Sequence, residues 1–511
     1  MSNKESFTII TGFGLVATLY FVYIKYYKKT KQDKKYNITS TISTKKTKLI
    51  EDTINVKGAL DVSLHDSYDL ETSTHTTGFP TLGLERPMVI AMVGLPARGK
   101  SYIVKMMIRY FSWTGLTPKV FNVGSYRRSQ GMQGASSKFF SATNNEGKIV
   151  REKMAMAVQD EMYKWLQAGT ISNEQRIAIF DATNTTINRR YALTQRSRKE
   201  NVFLLFVESI CNDTEVLQRN YELKLQNEDY KNMDPIKARK DFEARVKAYE
   251  AQYETIEDYE DHNKISYIKL VNVGQKVISR NCLGYLPSQV SFYLQNVHIS
   301  PRKICLALNA EQSYDKDDSY RGNVIIGEGR LTDNGREFSL DLAKFIETQY
   351  IRKDLENEFL VLAGTSKAHS ETIMHLRMMC PCFTTTLLNE LRAGDLHGLS
   401  RENIKKLYPE EWDKRQNDKL HYRYPGVGGE SYLDVIERIR PVIIELERQR
   451  RSLLVVTHLA VLRCIYAYFM GTNAEKIPFI PINSHQIIEL SPGPFGCELK
   501  IIDPKSETEN F

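Results

Sequence analysis

The segment GLPARGKS, residues 94–101, has the residue types and spacing of a phosphate-binding loop. It fits the pattern G-x-x-x-x-G-K-[ST], and it lies between a strand-like run and a helical pattern, the context that the pattern requires. In such a loop, backbone N–H groups surround phosphate oxygens, Lys100 reaches the β- and γ-phosphates, and Ser101 is a candidate Mg²⁺ ligand. The sequence therefore predicts a nucleotide site.

A candidate catalytic carboxylate follows at the end of the strand-like run RIAIFD, which places Asp181 at the carboxyl edge of the predicted sheet, near the loop. A carboxylate there can order a metal ion or orient an attacking hydroxyl. The alternative is that Asp181 caps the helix that begins in NTTINRR.

Basic side chains are frequent in the same part of the chain. They occur in YRR (126–128) and at Arg151, Arg189, Arg190, Lys224 and Arg245, the last with Tyr249 one helical turn later. Each one alone is more often a solvated charge than a ligand. Together with a phosphate-binding loop, they indicate an anionic acceptor such as a phosphorylated metabolite.

A second candidate site lies at ICLALNAEQS, residues 304–313, where a buried strand ends in a polar turn. Many α/β enzymes keep a catalytic residue at such a place, yet none of these side chains is a good nucleophile. These residues alone leave open whether this half of the chain is an enzyme.

Two successive alternations of strand-like and helical patterns must position these residues. The first includes PMVIAMVG, VFNVG, RIAIFDA, NVFLLFVES and ISYIKLVNV, and the second includes ICLAL, FLVLAG, SLLVVTH and HQIIELS. Such alternation is typical of α/β domains with parallel sheets. We predict a doubly wound P-loop domain at 87–300, a second α/β domain at 301–503 and a tail at 504–511.

The N-terminal run FTIITGFGLVATLYFVYI, residues 7–24, contains 18 residues without a charge and is followed at once by KYYKKTKQDKK. This length and the basic flank favour a membrane anchor that leaves both catalytic domains in the cytosol. We predict an anchor with its flank at 1–35, in the mitochondrial outer membrane or the endoplasmic reticulum, and a flexible linker at 36–86. An apolar helix packed on the protein is the alternative.

The composition narrows the class of protein. The formal charge of +8 arises from 70 basic and 62 acidic residues in 511, and much of the excess lies in the N-terminal run, so we expect no nucleic-acid partner. Seven cysteines without metal-type pairs or a disulfide framework favour a reducing cytosol. A homodimer is compatible with the sequence, which does not decide the oligomeric state.

The segments GLPARGKSY, FNVGSYRR, FDATNTT, FVESIC and ARVKAYEAQYE resemble the kinase half of the bifunctional 6-phosphofructo-2-kinase/fructose-2,6-bisphosphatase family, and the resemblance extends over residues 87–503. It implies a kinase that uses ATP and Mg²⁺ to phosphorylate the 2-hydroxyl of fructose 6-phosphate. It also implies that the second domain is a histidine-phosphatase (phosphoglycerate-mutase-like) α/β domain.

The resemblance assigns expected roles to individual residues of the first domain. The catalytic positions are Lys100, Asp181 and Cys211. The nucleotide positions, with Ser101 also as the Mg²⁺ ligand, are Gly94, Leu95, Pro96, Ala97, Arg98, Gly99, Lys100, Ser101, Tyr102 and Asn220. The fructose 6-phosphate positions are Arg127, Arg151, Thr183, Arg189, Lys224, Arg245 and Tyr249.

The phosphatase motif of that family is altered here. Its first strand ends in Arg-His-Gly-Glu, in which the histidine is phosphorylated, whereas this chain has Leu308, Asn309, Ala310 and Glu311. An amide cannot replace imidazole as a nucleophile, and Leu308 removes a guanidinium that would neutralise phosphate. Ala368 stands for a second arginine, and Asp315 for an asparagine.

Other positions of the phosphatase site match the family. They are Glu390, Arg415, Lys419, Tyr432, His458 and Arg463. We expect a kinase whose phosphatase half is catalytically lost, and whose retained side chains serve packing or still bind a sugar phosphate. The alternatives for the whole chain are a non-catalytic regulator that binds ATP and a sugar phosphate, and a residual fructose-2,6-bisphosphatase.

Overall fold

The computed structural model describes residues 87–508, except 142, 172–175, 313–329, 354–357, 400 and 494–495. The predicted anchor, basic flank and linker lie outside the described residues, as does Asp315. No helix in this described part of the chain combines the length and apolar character that a bilayer crossing needs. Both predicted domains belong to one compact unit, Pro80–Phe511.

Six strands form the sheet of the first domain, in the order β2-β3-β1-β4-β5-β6. They are β1 (Met88–Val93), β2 (Thr117–Asn122), β3 (Arg176–Asp181), β4 (Phe203–Ile210), β5 (Ser266–Val271) and β6 (Lys276–Arg280). The first five run parallel, and β6 is antiparallel to β5. All residues of β1 are buried, because its alternate side chains enter apolar clusters on opposite faces of the sheet.

The helices of the first domain connect these strands. They are α1 (Lys100–Trp113), α2 (Val123–Ser129), α3 (Asn145–Ile171), α4 (Ile187–Lys199), α5 (Thr214–Leu225), α6 (Pro235–Glu250), α7 (Asp258–His262) and α8 (Tyr285–Asn296). Several begin where a short polar side chain accepts a backbone N–H, as Asn122 does for α2, Asp213 for α5 and Asp234 for α6.

The second domain contains a separate sheet in the order β12-β11-β7-β10-β8-β9. The strands are β7 (Ile304–Leu308), β8 (Leu360–Ala363), β9 (Cys382–Thr384), β10 (Leu453–Thr457), β11 (Ile487–Gly493) and β12 (Gly496–Ile502). β7, β10, β8 and β9 are parallel neighbours, whereas β11 is antiparallel to both β7 and β12.

The helices of the second domain are α9 (Asp333–Ile346), α10 (Lys367–Thr372), α11 (Arg401–Leu407), α12 (Pro409–Asn417), α13 (Tyr432–Arg448), α14 (Leu459–Met470) and α15 (Pro504–Thr508). α13 continues through Pro441, because Ile439, Val442 and Ile443 on both sides of it are buried in the core. This packing outweighs the hydrogen bond that proline removes.

The predicted fold class is confirmed, with two corrections of detail. Every strand-like run quoted from the sequence overlaps a strand. β6, β9 and β12 were missed, because β6 and β12 are mostly exposed and lack apolar alternation, and β9 has only three residues. Since β6 and β11 are antiparallel to their neighbours, neither sheet is purely parallel.

Candidate active site

The phosphate-binding loop turns back on itself between β1 and α1. Its backbone is left-handed at Gly94 (φ 133°), Ala97 (φ 59°) and Gly99 (φ 86°), conformations that favour glycine and strain an alanine. A Cβ on Gly94 would lie 2.5 Å from the carbonyl oxygen of Ser209, so no larger residue fits there. Strain held by neighbouring strands is common at ligand sites, and here it shapes a cradle of backbone N–H groups.

Two side chains of opposite charge lie at this loop. The Lys100 ammonium donates to the carbonyl oxygens of Gly94 (2.8 Å) and Leu95 (2.5 Å), and burial lowers its pKa to about 7. Burial raises the pKa of Asp181, although Lys100, Lys224 and a hydrogen bond from the Asn122 amide act in the opposite direction. Binding of an anionic nucleotide would raise the pKa of Lys100 and favour its charged form.

The position of Asp181 also tests the alternative that this residue caps the helix that follows β3. It is the last residue of β3 and is only 8% exposed. The following helix, α4, is capped by Thr186, whose hydroxyl accepts the backbone N–H of Arg189. The capping alternative for Asp181 is therefore wrong, and its carboxylate faces the cavity described next.

A cavity of about 470 Å³ opens beside the loop and brings most of the predicted residues together. Those lining it are Pro96, Ala97, Gly99, Lys100, Ser101, Tyr102, Arg127, Arg151, Asp181, Thr183, Arg189, Asn220, Lys224, Arg245 and Tyr249. They come from the loop, α1, the end of β3 with the turn after it, α2, α3, α4, α5 and α6, so eight separate parts of the chain meet here. We call this space the first-domain cavity.

Four predicted residues are not part of that lining. Gly94 and Leu95 form the back of the loop, where their carbonyl oxygens accept from Lys100. The side chain of Arg98 pairs with Glu250 at 3.2 Å, beside α6. Cys211 is only 1% exposed, and burial raises the pKa of its thiol, so its geometry favours packing behind the site.

An unforeseen carboxylate organises the cationic side of the cavity. Asp229 is buried and forms ion pairs with Arg127 (2.5 Å), Arg245 (3.6 Å) and Arg128 (3.7 Å). It also accepts the backbone N–H of Gly134 at 3.1 Å. Burial raises the pKa of this carboxyl, but the arginines outweigh that effect and leave the pKa below its usual value. The guanidinium groups are thereby fixed before an anion binds.

Other lining residues were also missed by the sequence analysis. Asn122 holds Asp181, Lys105 adds a further cation, and Phe140 lies 3.8 Å below the Arg245 guanidinium. None of them belongs to a recognisable pattern. Asp229 had a weak signal, because an acidic residue beside several predicted phosphate ligands is unexpected unless it positions them.

The second candidate site lies at the carboxyl ends of β7 and β10. Leu308 belongs to the main apolar cluster and is only 4% exposed, so the side chain at the expected arginine position is a core residue. Asn309 is buried, its amide donates to the Ala310 carbonyl at 3.2 Å, and its Oδ1 has no hydrogen-bond partner in the described chain. Glu311 accepts from the Thr332 hydroxyl at 2.9 Å, which caps α9.

A buried histidine pair lies at this site. The ring of His369 lies edge-on to that of His458 at 4.5 Å between centroids, and Ala368, which stands where the resemblance expects an arginine, is buried in the same helix, α10. His369 is fully buried, and burial lowers its pKa to about 4. The Glu390 carboxylate lies 3.7 Å from the Nδ1 atom of His458.

The predicted sugar-phosphate side of the second site retains its cations. Arg463 donates to the Tyr432 hydroxyl (3.2 Å) and the Ile480 carbonyl (2.8 Å). Burial and the charges of Arg415 and Arg463 lower the pKa of Lys419, whose ammonium lies 4.9 Å from the centroid of the Phe479 ring. We call the set Asn309, His369, Glu390 and His458, with these cations, the second-domain site.

Comparison with known proteins agrees with this architecture. Residues 79–301 match the family model of 6-phosphofructo-2-kinase, and residues 326–503 match that of the histidine phosphatase superfamily (branch 1). The second match begins after the segment that contains Leu308 and Asn309.

Three relatives illustrate the range of similarity. The 6-phosphofructo-2-kinase/fructose-2,6-bisphosphatase 3 of Rattus norvegicus is 38% identical over 417 residues, which cover 81% of this chain and 72% of that protein. A probable 6-phosphofructo-2-kinase of Schizosaccharomyces pombe is 34% identical, covering 84% and 71%. The 6-phosphofructo-2-kinase 1 of Saccharomyces cerevisiae is 38% identical, covering 83% and 53%. The chain therefore belongs to the 6-phosphofructo-2-kinase/fructose-2,6-bisphosphatase family.

Proposed function

We propose that this chain is a 6-phosphofructo-2-kinase that transfers the γ-phosphoryl group of ATP to the 2-hydroxyl of fructose 6-phosphate, and that its second domain does not hydrolyse the product. The observation that carries the kinase assignment is the first-domain cavity, where a phosphate-binding loop, a buried carboxylate and a cluster of cations meet. Family membership supports the same reaction.

Asp181 is suited to orient the attacking hydroxyl. It lies at the end of β3 and lines the cavity, and the hydrogen bond from Asn122 fixes its carboxylate. Because burial raises its pKa, it accepts a proton more readily than an exposed aspartate. We assign it the task of positioning the 2-hydroxyl and receiving its proton.

We assign Lys100 and Ser101 to the nucleotide. The backbone cradle at Gly94 and Gly99 fits phosphate oxygens, and Lys100 can turn from the loop carbonyls to the β- and γ-phosphates. Mg²⁺ held by Ser101 and the phosphates would supply charge neutralisation for the transfer. Asn220, which donates to the Ala97 carbonyl at 3.0 Å, supports the loop from α5.

The cationic side of the cavity is suited to the 6-phosphate of the sugar. Arg127 and Arg245 share Asp229, so their guanidinium groups are held in fixed directions. Arg189 is held by Glu152 at 3.2 Å, and Lys224 lies close enough to Asp181 for their charges to interact. We assign these four residues, with Arg151, Thr183 and Tyr249, to fructose 6-phosphate.

The proposed loss of phosphatase activity depends on two side chains. Asn309 provides no nucleophilic nitrogen, and Leu308 is packed among apolar residues where the family has a phosphate-binding arginine. Two fungal relatives are also named for the kinase alone. A residual bisphosphatase and a non-catalytic regulator are the competing hypotheses.

The test incubates the purified full chain with Mg·ATP and fructose 6-phosphate, beside Lys100→Ala and Asp181→Ala, and identifies the product by its acid-labile 2-phosphate. We expect product from the parent only, and no phosphate release from added fructose 2,6-bisphosphate. ATP binding without turnover would favour the regulator, and phosphate release would restore the bisphosphatase.

We further propose that residues 7–24 tether the chain to a membrane and leave its catalytic domains in the cytosol. The support is the uncharged length of 18 residues and the lysine-rich flank. Alkaline extraction of membranes from cells that express the full chain tests this. Deletion of residues 7–24 should move the protein to the soluble fraction, and an unchanged distribution of the deletion variant would reject the tether.

A further inference from the structure

A buried ion network joins the two domains at the helix that begins in the phosphate-binding loop. Arg109 of α1 donates to the Glu447 carboxylate of α13, although the two residues are 338 positions apart. Arg302 reaches the other carboxylate oxygen at 3.1 Å, and Tyr468 of α14 donates to the first at 2.7 Å. The side chains of Glu447 and Arg302 are only 1% and 2% exposed.

The surrounding contacts make α1 and α14 pack as one body. The Trp113 indole N–H donates to the Cys464 carbonyl at 2.8 Å, and the Trp113 and Tyr468 rings meet edge-on at 5.5 Å. Tyr293 of α8 donates to the Met106 carbonyl (3.2 Å) and shares a hydrogen bond with Tyr468 (2.9 Å). One apolar cluster includes side chains of both helices.

Each of these two helices begins at one of the two sites, and the helices contact each other at the domain interface. α1 starts with Lys100 and Ser101 at the first-domain cavity and reaches the domain interface at Arg109 and Trp113. α14 starts directly after His458, which belongs to the second-domain site. A closely packed core has low compressibility and transmits displacements. The packing of the C-terminal half of α1 against the second domain therefore fixes the position of the first turn of α1.

We propose that Glu447 of the second domain is a positioning residue for the kinase reaction, acting through Arg109 to fix the helix that carries Lys100 and Ser101. The inference rests on the kinase function proposed above. It gives a second domain that the proposal regards as without phosphatase activity a task, which is to hold from behind the helix that carries Lys100 and Ser101, although every residue that lines the cavity belongs to the first domain.

Arg109→Met is the variant of choice. It cuts the connection to α1 but leaves Glu447 paired with Arg302 and Tyr468, so no buried carboxylate loses all partners. Arg109→Lys keeps the charge and should rescue part of the effect. The matched control is Glu430→Gln, which breaks an ion pair with Arg438 that lies entirely within the second domain.

The full chain and these variants are compared by calorimetric Mg·ATP affinity, by KM for each substrate and by melting temperature. We expect Arg109→Met to raise Kd and KM for Mg·ATP about tenfold, through displacement of the loop helix. KM for fructose 6-phosphate should change less than about twofold, because its proposed ligands lie on other elements, and Glu430→Gln should change neither constant.

The proposal is overturned if Arg109→Met leaves the Mg·ATP constants within twofold of the parent, or if Glu430→Gln produces the same loss. A lower melting temperature with unchanged Mg·ATP constants would show a merely structural contact and also reject it. If the parent binds Mg·ATP but makes no fructose 2,6-bisphosphate, the proposed function fails, while the binding constants still test the role of Glu447.

Discussion

The first-domain cavity and the second-domain site lie at equivalent places in their sheets but differ in the groups that they hold. Both lie at the carboxyl ends of parallel strands, and both combine carboxylates with cations. In the first, several cations converge on one buried carboxylate, as Asp229 shows among its arginines. In the second, an amide, Asn309, and a buried leucine, Leu308, stand where the resemblance expects a nucleophile and its neutralising cation.

The difference between the two sites is confined to a few positions. Glu390, Tyr432 and His458 are buried, and the proposed loss of phosphatase activity concerns the two adjacent positions Leu308 and Asn309. Leu308 packs in the main apolar cluster, where the family has an arginine.

We expect the largest effect on the kinase rate from a substitution of Asp181 in the first-domain cavity. We expect Asp181→Asn to lower kcat at least about 10²-fold, because the amide cannot receive the hydroxyl proton. Initial rates at saturating substrates measure this. Lys119→Ala, at an exposed pair with Glu161, is the control and should keep the parent rate. A rate for Asp181→Asn within threefold of the parent would refute the assigned role.

The second prediction restores, in the second-domain site, the two groups that we propose to be missing. We expect Leu308→Arg with Asn309→His to hydrolyse fructose 2,6-bisphosphate, and Asn309→His alone to be about 10²-fold slower for lack of the guanidinium. Release of labelled 2-phosphate measures both. If the folded double variant shows no hydrolysis, the loss extends beyond these two positions, and our account of it is wrong.

A smaller effect is expected at Asp229. Asp229→Asn frees the shared guanidinium groups to turn, so we expect KM for fructose 6-phosphate to rise about tenfold while KM for Mg·ATP stays within twofold. Steady-state kinetics with each substrate varied separately would measure this split. Equal increases in both constants would show that Asp229 supports the domain as a whole.

The smallest effect concerns the stability of the second domain. The folded pKa of His369 is about 4, below its ordinary 6.5, so the unfolded chain binds more protons between these values. The stability is fully present above pH 6.5 and falls as pH drops towards 4, by about 1 kcal/mol at pH 5.5. His369→Asn should reduce the dependence of the melting temperature on pH over that range. If the slope of melting temperature against pH is the same as in the parent, the prediction is wrong.

Much of the fold and part of the site could be predicted from the sequence. The phosphate-binding loop is a contiguous segment whose function follows from local backbone geometry, so the motif from Gly94 to Ser101 predicts it directly. The buried strands β1, β3 and β10 are apolar runs, which local patterns detect well. The absence of a nucleophile at Asn309 is a matter of residue identity and needs no coordinates.

Tertiary structure alone decided the rest. Asp229 meets Arg127 across 102 positions, and Arg109 meets Glu447 across 338, and no local pattern records such pairs. Likewise, the contact between His369 and His458 depends on how α10 packs against β10, and the sequence analysis did not find it. The physical reason is that packing joins distant segments through burial and charge pairing, which depend on three-dimensional proximity and not on order along the chain.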